Sequence, residues 1–141
     1  MKLFINILFM LLLAAPAFSQ NRGKGHGKHE EIEAIKAAYI TKKLDLSSEE
    51  AKSFWPVYND YQRELGAIMR ERRQNFKSGG GNPSNRLNAD FDYEGRVLAL
   101  KKSYQKEFSK VLPPQKVLTL YRAEREFREQ LIKELKERRG N

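Results

Sequence analysis

The two histidines, His26 and His29, are the first residues whose types could do chemistry. They lie in Gly-His-Gly-Lys-His, with Glu30 and Glu31 directly behind them. Imidazole and carboxylate can both ligate a heavy metal, but a site needs about three or four converging ligands on a held scaffold. Residues 20–29 are glycine-rich, basic and without anything to bury, so they read as a disordered tail. The expectation is therefore no metal and no cofactor, with His26 and His29 as the candidate ligands of a metal-sensing alternative. Catalysis finds no constellation. The chain has no cysteine, no metal motif borne on a helix and no serine with a histidine partner. Gly79-Gly80-Gly81 lacks the Lys-Ser/Thr that completes a phosphate loop. The helical carboxylates have cations beside them. The reading is a protein that is not an enzyme.

Binding chemistry is better supplied. Lysine and arginine number 27 against 18 acids, a net charge of +9. Two runs concentrate it: Arg70, Arg72 and Arg73, and Lys136, Arg138 and Arg139. Cations near a helix C-terminus suit its dipole, but these runs carry more charge than capping requires. They are candidates for an anionic partner surface, either protein or the headgroups of a membrane. Trp55 and Tyr58 are the aromatic candidates for the same surface, because an apolar patch rimmed by cations marks a binding site.

The elements that must position these residues read as helices. Ile32, Ile35 and Tyr39 recur at steps of three and four, ending near Leu44. Ser47 followed by Glu50 is a capping box that opens a long helix. Its stripe is Phe54, Tyr58, Tyr61, Leu65, Ile68 or Met69, and Phe76. Pro56 falls inside it, and the unbroken phase of the stripe predicts a kink there, not an end. Residues 77–89 read as a flexible linker by composition. A third helix follows from about Tyr93 to Lys110, carrying Val97, Leu100, Tyr104, Phe108 and Val111. Leu112-Pro113-Pro114 closes it and starts a fourth, with Val117, Leu120, Tyr121, Phe127, Leu131 and Leu135 on one side. On its other side Glu124–Arg128, Glu129–Lys133 and Glu134–Arg138 read as solvated i,i+4 pairs.

Residues 1–19 read as a signal peptide. Lys2 precedes an apolar run from Leu3 to Leu13, and Ala17-Phe18-Ser19 offers small residues for cleavage before Gln20. The run is shorter than the ~20 residues of a membrane span. Export removes nucleic acid from the partners that a basic chain suggests. It leaves a periplasmic, soluble chain with one helical domain over residues 30–141.

The chain also repeats itself. At an offset of 66, Leu46 falls on Leu112, Phe54 on Leu120, Trp55 on Tyr121, Tyr61 on Phe127 and Leu65 on Leu131. Met69-Arg70-Glu71-Arg72-Arg73 lies over Leu135-Lys136-Glu137-Arg138-Arg139. The expected fold is all-α, two consecutive helical hairpins with two long helices, elongated and pairing as a homodimer.

Leu46-Ser47-Ser48-Glu49-Glu50, opening a helix after a shorter helix in an exported basic chain, resembles the LTxxQ motif of the Spy/CpxP family. The second copy is Leu112-Pro113-Pro114-Gln115-Lys116. Ser47 and Glu50 stand for the motif's threonine and glutamine and keep their capping chemistry; Pro113 and Lys116 do not. The stretches Phe54-Trp55-Pro56-Val57-Tyr58 and Leu120 to Phe127 look like a Bacteroidota branch of that family. Its members are labelled sensors of ECF-type sigma factor or periplasmic heavy-metal sensors. The resemblance implies a four-helix, cradle-like homodimer in the periplasm that works by protein binding in the stress response. Some members bind the sensor domain of a signalling protein. Others are ATP-independent chaperones for unfolded clients.

Overall fold

The structure, a computed structural model, describes residues 26–77 and 81–140, and the side chains of all of these except His26 and Lys28. The expected export segment lies outside the described residues. Those described form four helices: α1 (His26–Leu44), α2 (Ser48–Lys77), α3 (Pro83–Val111) and α4 (Pro114–Arg139). No strand occurs among them, so the all-α expectation holds. α1 divides between two units after Ala34, and the second unit runs from Ile35 to Asn141.

Two boundaries differ from expectation. α1 starts at His26, so both histidines stand in its first turn, not in an irregular tail. α3 starts at Pro83, well ahead of Tyr93, and takes up much of the stretch read as a linker. The cause is local. Asn82 Oδ1 accepts from the Ser84 amide at 2.9 Å, and Pro83 occupies the first turn, where its missing N–H and fixed φ cost nothing. Small polar residues that look like a loop by composition are here a helix start.

The turn between α1 and α2 is built from backbone bonds. Asp45 adopts a left-handed φ of 48°. Its amide donates to Lys42 O at 3.4 Å, and the Leu46 amide donates to Thr41 O at 3.5 Å. That pair of bonds is a Schellman motif, which usually places glycine where Asp45 stands. The capping box then opens α2: the Glu50 amide donates to Ser47 Oγ at 3.2 Å, and the Ser47 amide donates to Glu50 Oε2 at 2.9 Å. α2 continues through Pro56 without interruption. The proline removes one donor, yet Phe54, Tyr58 and Tyr61 stay in phase on the buried side.

The core draws on all four helices. Ile40 and Leu44 come from α1, Phe54, Tyr58 and Tyr61 from α2, and Val117, Leu120 and Ala123 from α4. Phe108 of α3 and Leu112 just beyond it complete the set. Phe108 sits at its centre, with ring centroids 5.8 Å from Phe54, 5.8 Å from Tyr61 and 6.3 Å from Tyr121. Offset and edge-on aromatic pairs add about 0.5–1.5 kcal/mol each to the burial of the rings. Ile40 and Leu44 are more deeply buried than Ile35 and Tyr39 of the expected α1 stripe. Phe76 departs from the α2 stripe altogether: it lies beyond the last core layer and is exposed.

The internal repeat has a spatial counterpart. Glu50 and Lys116 occupy equivalent positions and touch, Lys116 Nζ donating to Glu50 Oε2 at 2.6 Å. Tyr58 and Glu124 are also equivalent and also touch, the hydroxyl donating at 3.1 Å. Long side chains of the second helix of each repeat therefore bridge to the other at two matching positions.

Candidate partner-binding surface

Glu124 is where α4 meets the polar edge of the core. Tyr58 Oη donates to Oε1 at 3.1 Å, and Gln62 Nε2 donates to the same oxygen at 2.8 Å. Tyr61 Oη reaches Oε2 at 3.5 Å. Lys36 Nζ of α1 closes the group by donating to Gln62 Oε1 at 2.7 Å. Burial pushes the Glu124 carboxyl up, against the lowering pull of Lys36, the Tyr58 bond, Lys101 and Arg128. Burial likewise raises the Tyr61 hydroxyl, with Glu124 adding to the effect, and pushes Tyr121 up to about 12.

This network corrects two expectations. Glu124 does not belong to a solvated face with Arg128, because it follows buried Leu120 and Ala123 on the inner side of α4 and turns toward α2. Tyr58 is only 4 % exposed, with its hydroxyl committed to Glu124, so it is a core residue and not a partner contact. Trp55 is half-buried, edge-on to Phe54 at 5.0 Å and to Tyr58 at 5.5 Å. Part of its ring remains at the surface.

The turn candidates divide by role. Ser47 and Glu50 cap α2 as described, and Leu46 packs against the core. In the second turn Leu112 is buried, while Pro113, Pro114 and Gln115 are exposed. Pro113 supplies no side-chain cap to α4. Lys116, in the first turn of α4, donates to Asp45 O at 2.7 Å as well as to Glu50. One ammonium thus ties the two turns together.

The basic runs are not uniform. Arg72 is half-buried and paired with Asp90 at 3.1 Å. Its neighbour Glu71 receives both guanidinium nitrogens of Arg96, at 3.0 and 2.8 Å, and that guanidinium holds its carboxyl below the usual range. Tyr93, buried between these groups, donates to Glu71 at 3.2 Å and accepts from Asn75. Arg70 and Arg73 are exposed, as are Lys136, Arg138 and Arg139 in the last turn of α4. Among the described residues, no hydrogen bond or ion pair joins the two basic runs.

Between α2 and α3 lies a shallow open pocket of about 180 Å³. Met69, Val97 and Leu98 supply its apolar lining, and Arg72, Lys101 and Glu94 its charged rim. Leu98 itself is exposed. Sequence reasoning found Arg72 but not Leu98 or Lys101, since Leu98 lies off the buried stripe and Lys101 is one cation among many. Among the described residues no group of three or more His, Cys, Asp or Glu is placed to hold a metal ion. His29 is exposed. No described helix is long and apolar enough to cross a membrane. Comparison with protein-family models, with curated proteins and with solved structures finds no match for the chain.

Proposed function

We propose that the protein is an exported envelope-stress binding protein of the Spy/CpxP kind, regulatory in type, acting as a homodimer by protein binding and without catalysis. The observation that carries this reading is the pocket between α2 and α3. An apolar lining of Met69, Val97 and Leu98, with Lys101 on a rim that also holds Glu94 and the Asp90-paired Arg72, suits an apolar side chain of a partner segment. Its open, shallow form matches a segment laid across the surface and not a small molecule enclosed within it. The surplus of cations adds long-range attraction for an acidic partner. The resemblance at Leu46 to Glu50 and at Leu112 to Lys116 supplies the setting, in which the partner is the sensor domain of a signalling protein.

A second reading shares the same chemistry. Large apolar side chains stay exposed on three helices, among them Leu98, Leu118, Ile132 and Leu135, and several unlike sites of this kind favour an ATP-independent chaperone for unfolded clients. Fluorescence anisotropy of a labelled, reduced and carboxymethylated protein that cannot fold separates the two. Saturable binding that weakens with salt supports the chaperone. No binding to that probe, with capture of one envelope protein at fixed stoichiometry, supports the regulator. If a folded sample gives neither result, the proposal is overturned.

A further inference from the structure

Residues 72–89, which span the end of α2 and the start of α3, contain no Asp or Glu. They contain Arg73, Lys77 and Arg86, all exposed. Large apolar side chains stand among these cations: Phe76 is 59 % exposed, Leu87 54 % and, one turn further on, Phe91 59 %. The Arg86 guanidinium lies 4.9 Å from the Phe76 ring centroid, so one side chain of each kind is placed against the other across the connection. None of these residues belongs to the core. More than half of each of these apolar side chains is left in water, a costly place for apolar surface.

From this juxtaposition we infer that the α2–α3 end of the hairpin docks on an anionic lipid bilayer. The apolar groups stand on exposed helix ends, and the pocket between α2 and α3 lies further along at Met69 and Leu98. A protein partner would have to supply pockets for these projecting side chains. A bilayer needs none: aromatic and leucine side chains enter the boundary between headgroup and acyl chain, while the cations meet lipid phosphates. Residues 72–89 carry no acid to repel the anionic surface, and beside Phe91 Asp90 is paired with Arg72 while the exposed Asp92 lies just beyond the stretch. The binding is separate from the protein-binding surface, and either could exist without the other.

The test is co-sedimentation of the full chain with vesicles of phosphatidylcholine alone or of two parts phosphatidylcholine to one part phosphatidylglycerol. The anionic vesicles are expected to retain more protein, and added salt to reduce the difference. Each cation near such a surface contributes about 1 kcal/mol, or roughly 5-fold in partition. The triple variant Arg73→Glu, Lys77→Glu, Arg86→Glu is therefore expected to lose about 100-fold or more on the anionic vesicles. Charge reversal of Lys136, Arg138 and Arg139 is expected to leave most of the binding in place. A Phe76→Trp change in a Trp55→Phe background reads the contact directly, because the chain has one tryptophan: its emission shifts to the blue on anionic vesicles. Binding that is unchanged in the triple variant, or an emission that does not shift, would overturn the inference. So would tighter binding to poly-glutamate than to the vesicles, which would assign the same end to an acidic protein. Circular dichroism confirms that each variant keeps its helices.

Discussion

At Glu124 a carboxylate contributes to folding with the opposite sign from its neighbours. Its folded-state carboxyl is raised above 4.5 by burial, so the native state binds this proton more tightly than the unfolded chain. That contribution to stability grows as pH falls through the raised value and shrinks as pH rises. Glu50, Glu71 and Glu126 are lowered from 4.5 by bonds from Lys116, Arg96 and Lys43 respectively. Their contribution is present above 4.5 and is lost as pH falls toward their lower folded values. The Glu124→Gln variant has no proton to exchange there. Relative to wild type it is expected to lose more stability at about pH 4 than at about pH 7, as urea unfolding midpoints at the two pH values would report. An equal loss at both would place Glu124 in water. Glu124→Ala is expected to cost about 1–3 kcal/mol at neutral pH, since Tyr58 and Gln62 lose their acceptor. At this scale the sequence was only partly legible. Acid-first i,i+4 spacing is real in α4, but the spacing does not say which way a side chain turns. Glu124 lies between the buried stripe and the solvated side, and the donors that hold it are over sixty positions away in the chain. Tyr58 went astray for the same reason: an aromatic residue on a stripe reads alike as core and as contact.

Among the elements, the starts and stops of the helices show how far local signals reach. Ser47 with Glu50 was plain in the sequence because its chemistry is confined to four residues, and both of its bonds form. Ser47→Ala is expected to cost about 1 kcal/mol, measured by thermal or urea unfolding. The start of α3 was equally local but hidden by composition. Asn82-Pro83-Ser84 is a helix opening that follows three glycines and reads with them as a loop. The stop of α1 depends on Asp45 at φ 48°, a conformation in which a side chain is strained and glycine is not. Asp45→Gly is expected to stabilise the fold by about 0.5–1 kcal/mol. The Lys116 contact survives that change, because it is made to the backbone oxygen of residue 45. A destabilised variant would show that the Asp45 side chain does more than occupy a turn. Pro56 was legible as a proline within a continuing stripe, and the helix does continue.

In the molecule as a whole, the duplicated pattern is what the sequence disclosed best. An offset of 66 aligned Phe54 with Leu120 and Leu46 with Leu112, and Phe54, Leu120 and Leu112 are all buried. The sequence did not disclose that equivalent positions face each other, as Glu50 does Lys116 and Tyr58 does Glu124. Periodicity describes one helix at a time, whereas the pairing of two is a property of the packed state. The surface was less legible for a related reason: charge counts gave a basic chain but not which cations were already engaged. Arg72 and Arg96 are held by acids, while Arg70 and Arg73 have none beside them in the described contacts. The pocket at Leu98 arises only when α2 and α3 are brought together.

Protein binding through that pocket is most directly tested by light scattering from a heat-unfolding client, with and without the protein, at low and moderate salt. Wild type is compared with Leu98→Glu, whose change lies at an exposed position and leaves the core untouched. On the regulatory reading wild type leaves the scattering unchanged yet retains one envelope protein on a column, and Leu98→Glu loses about 10-fold in that retention, from one apolar anchor of roughly 1–2 kcal/mol. On the chaperone reading wild type suppresses the scattering, less so with added salt, and Leu98→Glu loses as much. If both proteins suppress scattering equally, the pocket is not where proteins bind. If neither suppresses it and neither retains an envelope protein on a column, the account of a binding protein is contradicted.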